Sequence, residues 1–346
     1  MKLHSFHQLA GMIDEKWGNM LIDNHDRTIN YLRLAVTDRC NLRCNYCMPS
    51  EGIDFAKKDH LFTMDELGFL SEIMVGLGIN KIRITGGEPF IRKDLMVLLR
   101  KLSQLEGLDD ISITTNATLI APYIEELKVL GIRNINVSLD AVDKATFERI
   151  TRRDQYDIVY TNLNRLIAEG FNVRINFIAL ENQNTQDIIP ILKRMQHYPV
   201  SIRFLEEMPF NGGSKAFSTI TWDYKKILAH ILTEFPEVTQ LESPQTSTSI
   251  NYRIKGHTST FGLIPSFSRT FCGTCNRLRI SATGDVITCL YGKPRLNLRE
   301  ILRGENGEEK IKEHIQKAIG SRSKTGFEEQ RKYMGVFQNS MTSIGG

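Results

Sequence analysis

Residues 31–47 read YLRLAVTDRCNLRCNYC, and residues 81–89 read KIRITGGEP. Each starts as a short run of strand-forming residues and ends in a turn that carries polar, reactive side chains. Such a run, bounded by turn signals, reads as a buried strand. The pattern recurs in ISITTN (111–116), NINVSLD (134–140), NVRINFIAL (172–180) and SIRFLEE (201–207). Between these runs, apolar residues fall three and four apart in MDELGFLSEIMVGLG, KDLMVLLRKLSQL, APYIEELKVLG, VYTNLNRLIAEG and DIIPILKRM. That spacing predicts helices, several of them stopped by a glycine. Strand and helix in alternation predict parallel strands joined by right-handed crossovers. Six such units are too few for a closed eight-stranded barrel, so the expected fold is α/β, a partial, open (β/α)6 barrel. Its wide lateral mouth suits a bulky substrate.

Outward from this core the pattern changes. Residues 1–23 are weakly amphipathic and read as an N-terminal extension, residues 24–238 as the core, and residues 239–346 as a smaller C-terminal region. In that last region PQTSTS (244–249) is loop-like, and RLRISATGDVITCLYG (277–292) predicts a hairpin turning at Thr283-Gly284-Asp285. EEKIKEHIQKAIG reads as a last helix, followed by a polar tail ending in Gly345-Gly346.

The 346 residues are 41% hydrophobic and 24% charged, ordinary for a soluble globular chain. A net charge of +4 fits an anionic small molecule as readily as a nucleic acid. No apolar stretch approaches the roughly 20 residues of a membrane helix. Asp14 and Glu15 lie where the apolar part of an export signal would be. The expectation is therefore a cytoplasmic protein whose cysteines bind metal rather than form disulfides.

There are six cysteines, in two groups of three: Cys40, Cys44 and Cys47, then Cys272, Cys275 and Cys289. Structural zinc usually takes four protein ligands. Four-iron clusters are normally held by four cysteines, so a trio would leave one iron open to a small molecule. The first trio follows the first predicted strand, on the face where barrel enzymes place their chemistry. The second brackets the predicted hairpin. Zinc remains the alternative in both places, with a distant fourth ligand for the first trio and His257 for the second. Arg277 and Arg279, two apart on a strand, share a face. Their guanidinium forks suit a polyphosphate, and a solvated basic face is the alternative.

Cysteines spaced by three and then two residues, followed one strand later by Gly86-Gly87-Glu88-Pro89, resemble the signature of the radical S-adenosylmethionine enzymes. With TTN, INVSLD, IRFLEEMP, FCGTCNRLR and the terminal Gly-Gly, residues 31–346 resemble the GTP 3′,8-cyclase family. The resemblance implies two [4Fe-4S] clusters and S-adenosyl-L-methionine as cofactors. It implies conversion of GTP to (8S)-3′,8-cyclo-7,8-dihydroguanosine 5′-triphosphate, the first step of molybdenum cofactor biosynthesis.

Residue by residue, it makes Cys40, Cys44 and Cys47 ligands of the first cluster and Cys272, Cys275 and Cys289 ligands of the second. Tyr46, Gly87, Ser138 and Met208 would hold S-adenosylmethionine. Arg33, Arg83, Thr114, Arg174, Arg277, Leu278 and Arg279 would hold GTP. Gly345 and Gly346 would reach into the site and be needed for turnover. Two positions depart from the family pattern, Arg174 for its usual lysine and Ala117 for its usual glycine. The implied partners are GTP, an electron donor and cyclic pyranopterin monophosphate synthase as recipient of the product. A homodimer is compatible, with no nucleic acid and no membrane. The alternatives are another radical enzyme of this type acting on peptide or RNA, or a non-enzymatic iron–sulfur protein.

Overall fold

The computed structural model describes residues 20–208, 220–332 and 340–342. The six predicted strands are all present: β1 (Tyr31–Ala35), β2 (Lys81–Thr85), β3 (Asp110–Thr115), β4 (Asn134–Ser138), β5 (Asn172–Ala179) and β6 (Ser201–Glu206). They pair in sequence order and all in parallel. Each stops before its motif ends, because the last motif residues themselves form the turns.

The strands alternate strictly. Leu32, Leu34, Ile82, Ile84, Ile113, Ile135, Val137, Ile175, Phe177, Ile202 and Phe204 face outward into the core under the helices. The intervening residues, many of them charged, face inward. A sheet buried on both faces normally reads as unbroken apolar sequence. Here the inner face is instead kept polar, so it is a working surface.

The helices Met64–Gly76, Leu95–Leu102, Ile124–Val129, Tyr156–Ala168 and Ile188–Met195 occupy the predicted crossovers. Thr63 and Glu66 close a capping box on the first of these. The helices Lys144–Thr151 and Tyr224–Glu234 were not predicted, although Asp143 and Asp223 cap them.

The C-terminal region does not stand apart from the barrel. β7 (Val238–Gln240), β8 (Ile250–Ile254) and β9 (Thr260–Ile264) extend the sheet beyond β6, with β9 parallel to it. β10 (Arg277–Ile280) lies parallel to β1 at the opposite edge, and β11 (Val286–Ile287) returns antiparallel as the predicted hairpin. The eleven described strands run in the order β11-β10-β1-β2-β3-β4-β5-β6-β9-β8-β7. Both edges of the six-stranded core are thereby covered.

The reading of 308–320 as the last helix needs correction. A helix at Gly307–Gly320 is followed by another at Gly326–Lys332. Its buried face carries Glu329, ion-paired to Arg295, and so gives no apolar periodicity to find. Among the described residues, no helix is long and apolar enough to cross a membrane.

Candidate active site

One cavity of about 590 Å3 is lined by all six cysteines. The first trio lies on the loop after β1, at the C-terminal ends of the parallel strands. Cys272 and Cys275 precede β10, which runs parallel to β1, and Cys289 follows the antiparallel β11. The second trio therefore sits at the opposite mouth of the barrel, where the strands begin. The chemistry-bearing residues are spread along the barrel from end to end.

The first mouth is pinned by backbone and by buried carboxylates. Arg43 and Asn45 donate their amide N–H to Thr151 and Ile150, at 2.9 and 3.0 Å. Tyr46 donates its hydroxyl to Asp140 Oδ2 at 2.7 Å, and Asp140 Oδ1 accepts the amide of Ile178 at 2.7 Å. Burial pushes the Asp140 carboxyl up to about 6. Glu88 of the Gly-Gly-Glu-Pro turn is fully buried and accepts from Asn116 N, Thr115 Oγ1 and Phe90 N at 2.7, 2.8 and 3.1 Å. Burial raises it to about 7. Asn116 also points its amide at Cys40 Sγ, 3.7 Å away.

The two glycines before Glu88 are required by close approach. A Cβ on Gly86 would meet Thr37 O at 2.2 Å, and one on Gly87 would meet Arg39 O at 2.2 Å. Gly86 moreover sits at φ +135°. This turn thus packs backbone to backbone against the start of the cysteine loop, and Gly87 lines the cavity.

The second mouth is held by guanidinium groups. Arg27 donates to Asp23 Oδ2 (2.7 Å) and to the carbonyls of Cys272, Lys324 and Ser323 (2.8, 2.9 and 2.9 Å). Arg322 reaches Cys275 Sγ at 3.5 Å and pairs with Asp23 at 3.3 Å. Gly326 N donates to Cys272 Sγ at 3.4 Å, and Arg277 Nη1 lies 3.9 Å from Cys275 Sγ. Burial pushes the Cys275 thiol up, but Arg277 and Arg322 more than offset it and leave the thiol below its ordinary value. Burial raises the Cys289 thiol to about 11.

Between the mouths lies a cationic layer. Strand register sets Arg33 beside both Arg83 and Arg279, and Tyr31 beside both Lys81 and Arg277. Arg174 and Arg203 come from β5 and β6. Burial, then Arg174 and Arg83, pull Arg203 down to about 9. Burial, then Arg277, bring Arg279 down to about 10. Asp110 pairs with Lys81, but the charges remain strongly unbalanced. An enclosed surface of this kind calls for a polyanion.

Of the residues singled out in the sequence, Arg33, Tyr46, Arg83, Gly87, Thr114, Ser138, Arg174, Met208, Arg277 and Arg279 all line this cavity with the six cysteines. Met208 packs against Ile287 and Tyr291. Leu278 does not line the cavity, because its side chain points outward into the main core. Gly345 and Gly346 lie outside the described residues, but Ser340 bonds the Cys47 carbonyl at 2.7 Å and Met341 lines the cavity. Ala117 adopts φ +60°, which explains why glycine suits that turn.

Tyr31, Lys81 and Arg203 were missed: the resemblance supplied Arg33 and Arg83, and the strand alternation that turns those two inward turns these three inward as well. Arg27, Arg269 and Arg322 carried no local signal, since long-range folding alone brings them to the site.

The donor sets fit iron–sulfur clusters better than single ions. All six cysteines are free, in two groups of three. A cuboidal cluster presents separate corners to separate thiolates. His257 packs against Phe235 and is absent from the cavity lining, which removes it as a fourth zinc ligand.

A partial parallel barrel with a cysteine trio at its C-terminal mouth defines the class of the radical S-adenosylmethionine enzymes. Residues 34–195 match the Radical SAM superfamily and residues 200–328 match Molybdenum Cofactor Synthesis C. The Arabidopsis thaliana protein named GTP 3′,8-cyclase, mitochondrial is 36% identical over 323 residues, covering 91% of this chain and 81% of that one. The Syntrophomonas wolfei GTP 3′,8-cyclase is 36% identical over 300 residues, covering 85% and 90%. Human molybdenum cofactor biosynthesis protein 1 is 36% identical over 321 residues, and the chain spans about half its length (49%). In fold, the chain resembles Streptococcus suis SuiB bound to S-adenosylmethionine, with a TM-score of 0.58 at 15% identity over 90% of this chain and 74% of that one. The chain belongs to the GTP 3′,8-cyclase family.

Proposed function

We propose that this chain is a GTP 3′,8-cyclase acting in molybdenum cofactor biosynthesis, joining C3′ of the ribose to C8 of guanine in GTP. The observation that carries this reading is the single cavity, with a cysteine trio at each mouth and a cationic layer between them.

Cys40, Cys44 and Cys47 would hold one [4Fe-4S] cluster, and Tyr46, Gly87, Ser138 and Met208 the S-adenosylmethionine bound to it. Cys272, Cys275 and Cys289 would hold the second. Together the first cluster and S-adenosylmethionine supply one-electron, hydrogen-abstracting chemistry. The protein's own residues do the positioning. Arg33, Arg83, Arg174, Arg277 and Arg279 neutralise the triphosphate, with Lys81 and Arg203 completing the layer. Thr114 presents a buried hydroxyl that has no partner among the described residues, available to the nucleoside. The backbone beside Leu278, rather than its side chain, would face the substrate. Held at one end by its phosphates and at the other by the second trio, the nucleotide has its ribose fixed across the cavity. Such placement replaces an entropic cost at the moment of reaction. By family resemblance, Gly345 and Gly346 would be needed for turnover.

The reading extends to an external electron donor, delivery of product to cyclic pyranopterin monophosphate synthase, a homodimer and a cytoplasmic location. Anaerobic reconstitution should give about eight irons per chain, from two four-iron clusters. Incubation with reductant and S-adenosylmethionine should then form 5′-deoxyadenosine only when GTP is present. Four irons, or cleavage indifferent to GTP, would sink the proposal.

A further inference from the structure

We propose that Tyr31 is the post around which the cationic layer is assembled, a positioning residue that gathers cations without neutralising them. Its ring centroid lies 5.3 Å from Lys81 Nζ, 5.5 Å from Arg83 Cζ and 5.7 Å from Arg277 Cζ. These three side chains come from the two strands flanking β1 in the sheet, and register sets Lys81 and Arg277 directly beside Tyr31. The residue is 7% exposed and its hydroxyl has no hydrogen-bond partner among the described residues. The contacts that Tyr31 makes with these cations are therefore made through its ring.

Three like charges crowded around one ring repel one another and would splay, and Asp110 pairs with only one of them, Lys81. A carboxylate at position 31 would gather them, but it would also occupy the donors that an incoming phosphate needs. An aromatic quadrupole attracts cations while accepting little from their N–H groups. The remaining N–H directions stay committed elsewhere only in part: Arg83 Nε bonds Ser112 Oγ and Arg277 Nη2 bonds the Thr246 carbonyl. Tyr31 thus prepares the layer for a ligand that is bound through several anionic oxygens. The proposal rests on the polyphosphate reading of the cavity and adds to it a residue that need not touch the ligand.

The test uses the metal-loaded chain and two probes titrated separately, inorganic tripolyphosphate and GTP. Tyr31→Phe should bind both as the native chain does, and Tyr31→Leu should bind both about tenfold more weakly, the order expected for lost cation–π contacts. To guard against a folding defect in the leucine variant, phenylalanines of increasing ring fluorination are placed at position 31. They keep shape while draining the quadrupole, so affinity should fall step by step at constant melting temperature. A native chain that does not bind tripolyphosphate, a flat fluorine series, or equal losses in Tyr31→Phe and Tyr31→Leu each overturn the proposal. A graded loss with tripolyphosphate supports it whether or not GTP is turned over. Absent turnover alongside that graded loss overturns the cyclase reading alone.

Discussion

The two mouths of the barrel offer the same three thiols in opposite electrostatic settings. At the first, buried Asp140 holds the cysteine loop through Tyr46, buried Glu88 ties its own turn to the end of β3, and the sulfurs receive weak neutral donors such as Asn116. At the second, Arg322 and Arg277 point at one sulfur, with Arg27 bracing the turn behind it. The first setting is assembled from strand ends that follow one another in the barrel. The second draws on residues 23–27, 272–289 and 322–326, which only the finished fold unites. Ligand identity alone therefore does not specify a metal site; the charge placed around the ligands differs as much as the chain segments that supply it.

The comparison can be broken most sharply at Cys289. Replacing it with serine should abolish cyclisation and bring iron from about eight to about four per chain, leaving the first cluster's spectrum intact. If cyclisation survives, the second trio is not the site described above.

The next largest effect belongs to Arg322→Gln. It removes a buried donor to Cys275 and half of the ion pair with Asp23, whose carboxylate is fully buried. Leaving such a group undercompensated costs about 1–3 kcal/mol. The melting temperature should fall, and a chelator should strip the second cluster several-fold faster while the first is unaffected. Equal acceleration at both clusters would count against separate settings.

At the first mouth, Tyr46→Phe deletes the hydroxyl bond to Asp140. A hydrogen bond to a charged group contributes about 1.5–3 kcal/mol, so stability and S-adenosylmethionine affinity should both drop while GTP affinity stays constant. Calorimetric titration of each ligand separates the two.

The smallest effect is expected at Ala117→Gly. Relief of the left-handed strain, about 1–2 kcal/mol, is partly offset by loss of a buried methyl worth about 0.8 kcal/mol and by the extra freedom of glycine when unfolded. Thermal unfolding should shift upward by a degree or two at most.

Much of this was legible in the sequence because it is local. Apolar runs gave the six strands, and a spacing of two put Arg277 and Arg279 on one face, while Arg33 and Arg83 came from the family resemblance. The same alternation held Tyr31, Lys81 and Arg203, which were passed over because a period of two says which way a residue points and not what waits there. The pairing of β10 with β1, and of β9 with β6, could not be read. Strand partners so distant in sequence leave no periodic trace, and only the packed sheet shows which edge each one joins. Leu278 shows the opposite limit: a motif resemblance carried it into the site, while the strand alternation already turned it away.

The position of β10 beside β1 also sets a timetable for synthesis. The first trio, its anchoring strands and the Gly-Gly-Glu-Pro turn are complete once residue 206 has been made. The second trio has no walls until Arg322 and Gly326 emerge, because its bracing arginine at position 27 waits for partners almost 300 residues downstream. A ribosome-bound chain can therefore complete the walls of one cysteine pocket long before those of the other.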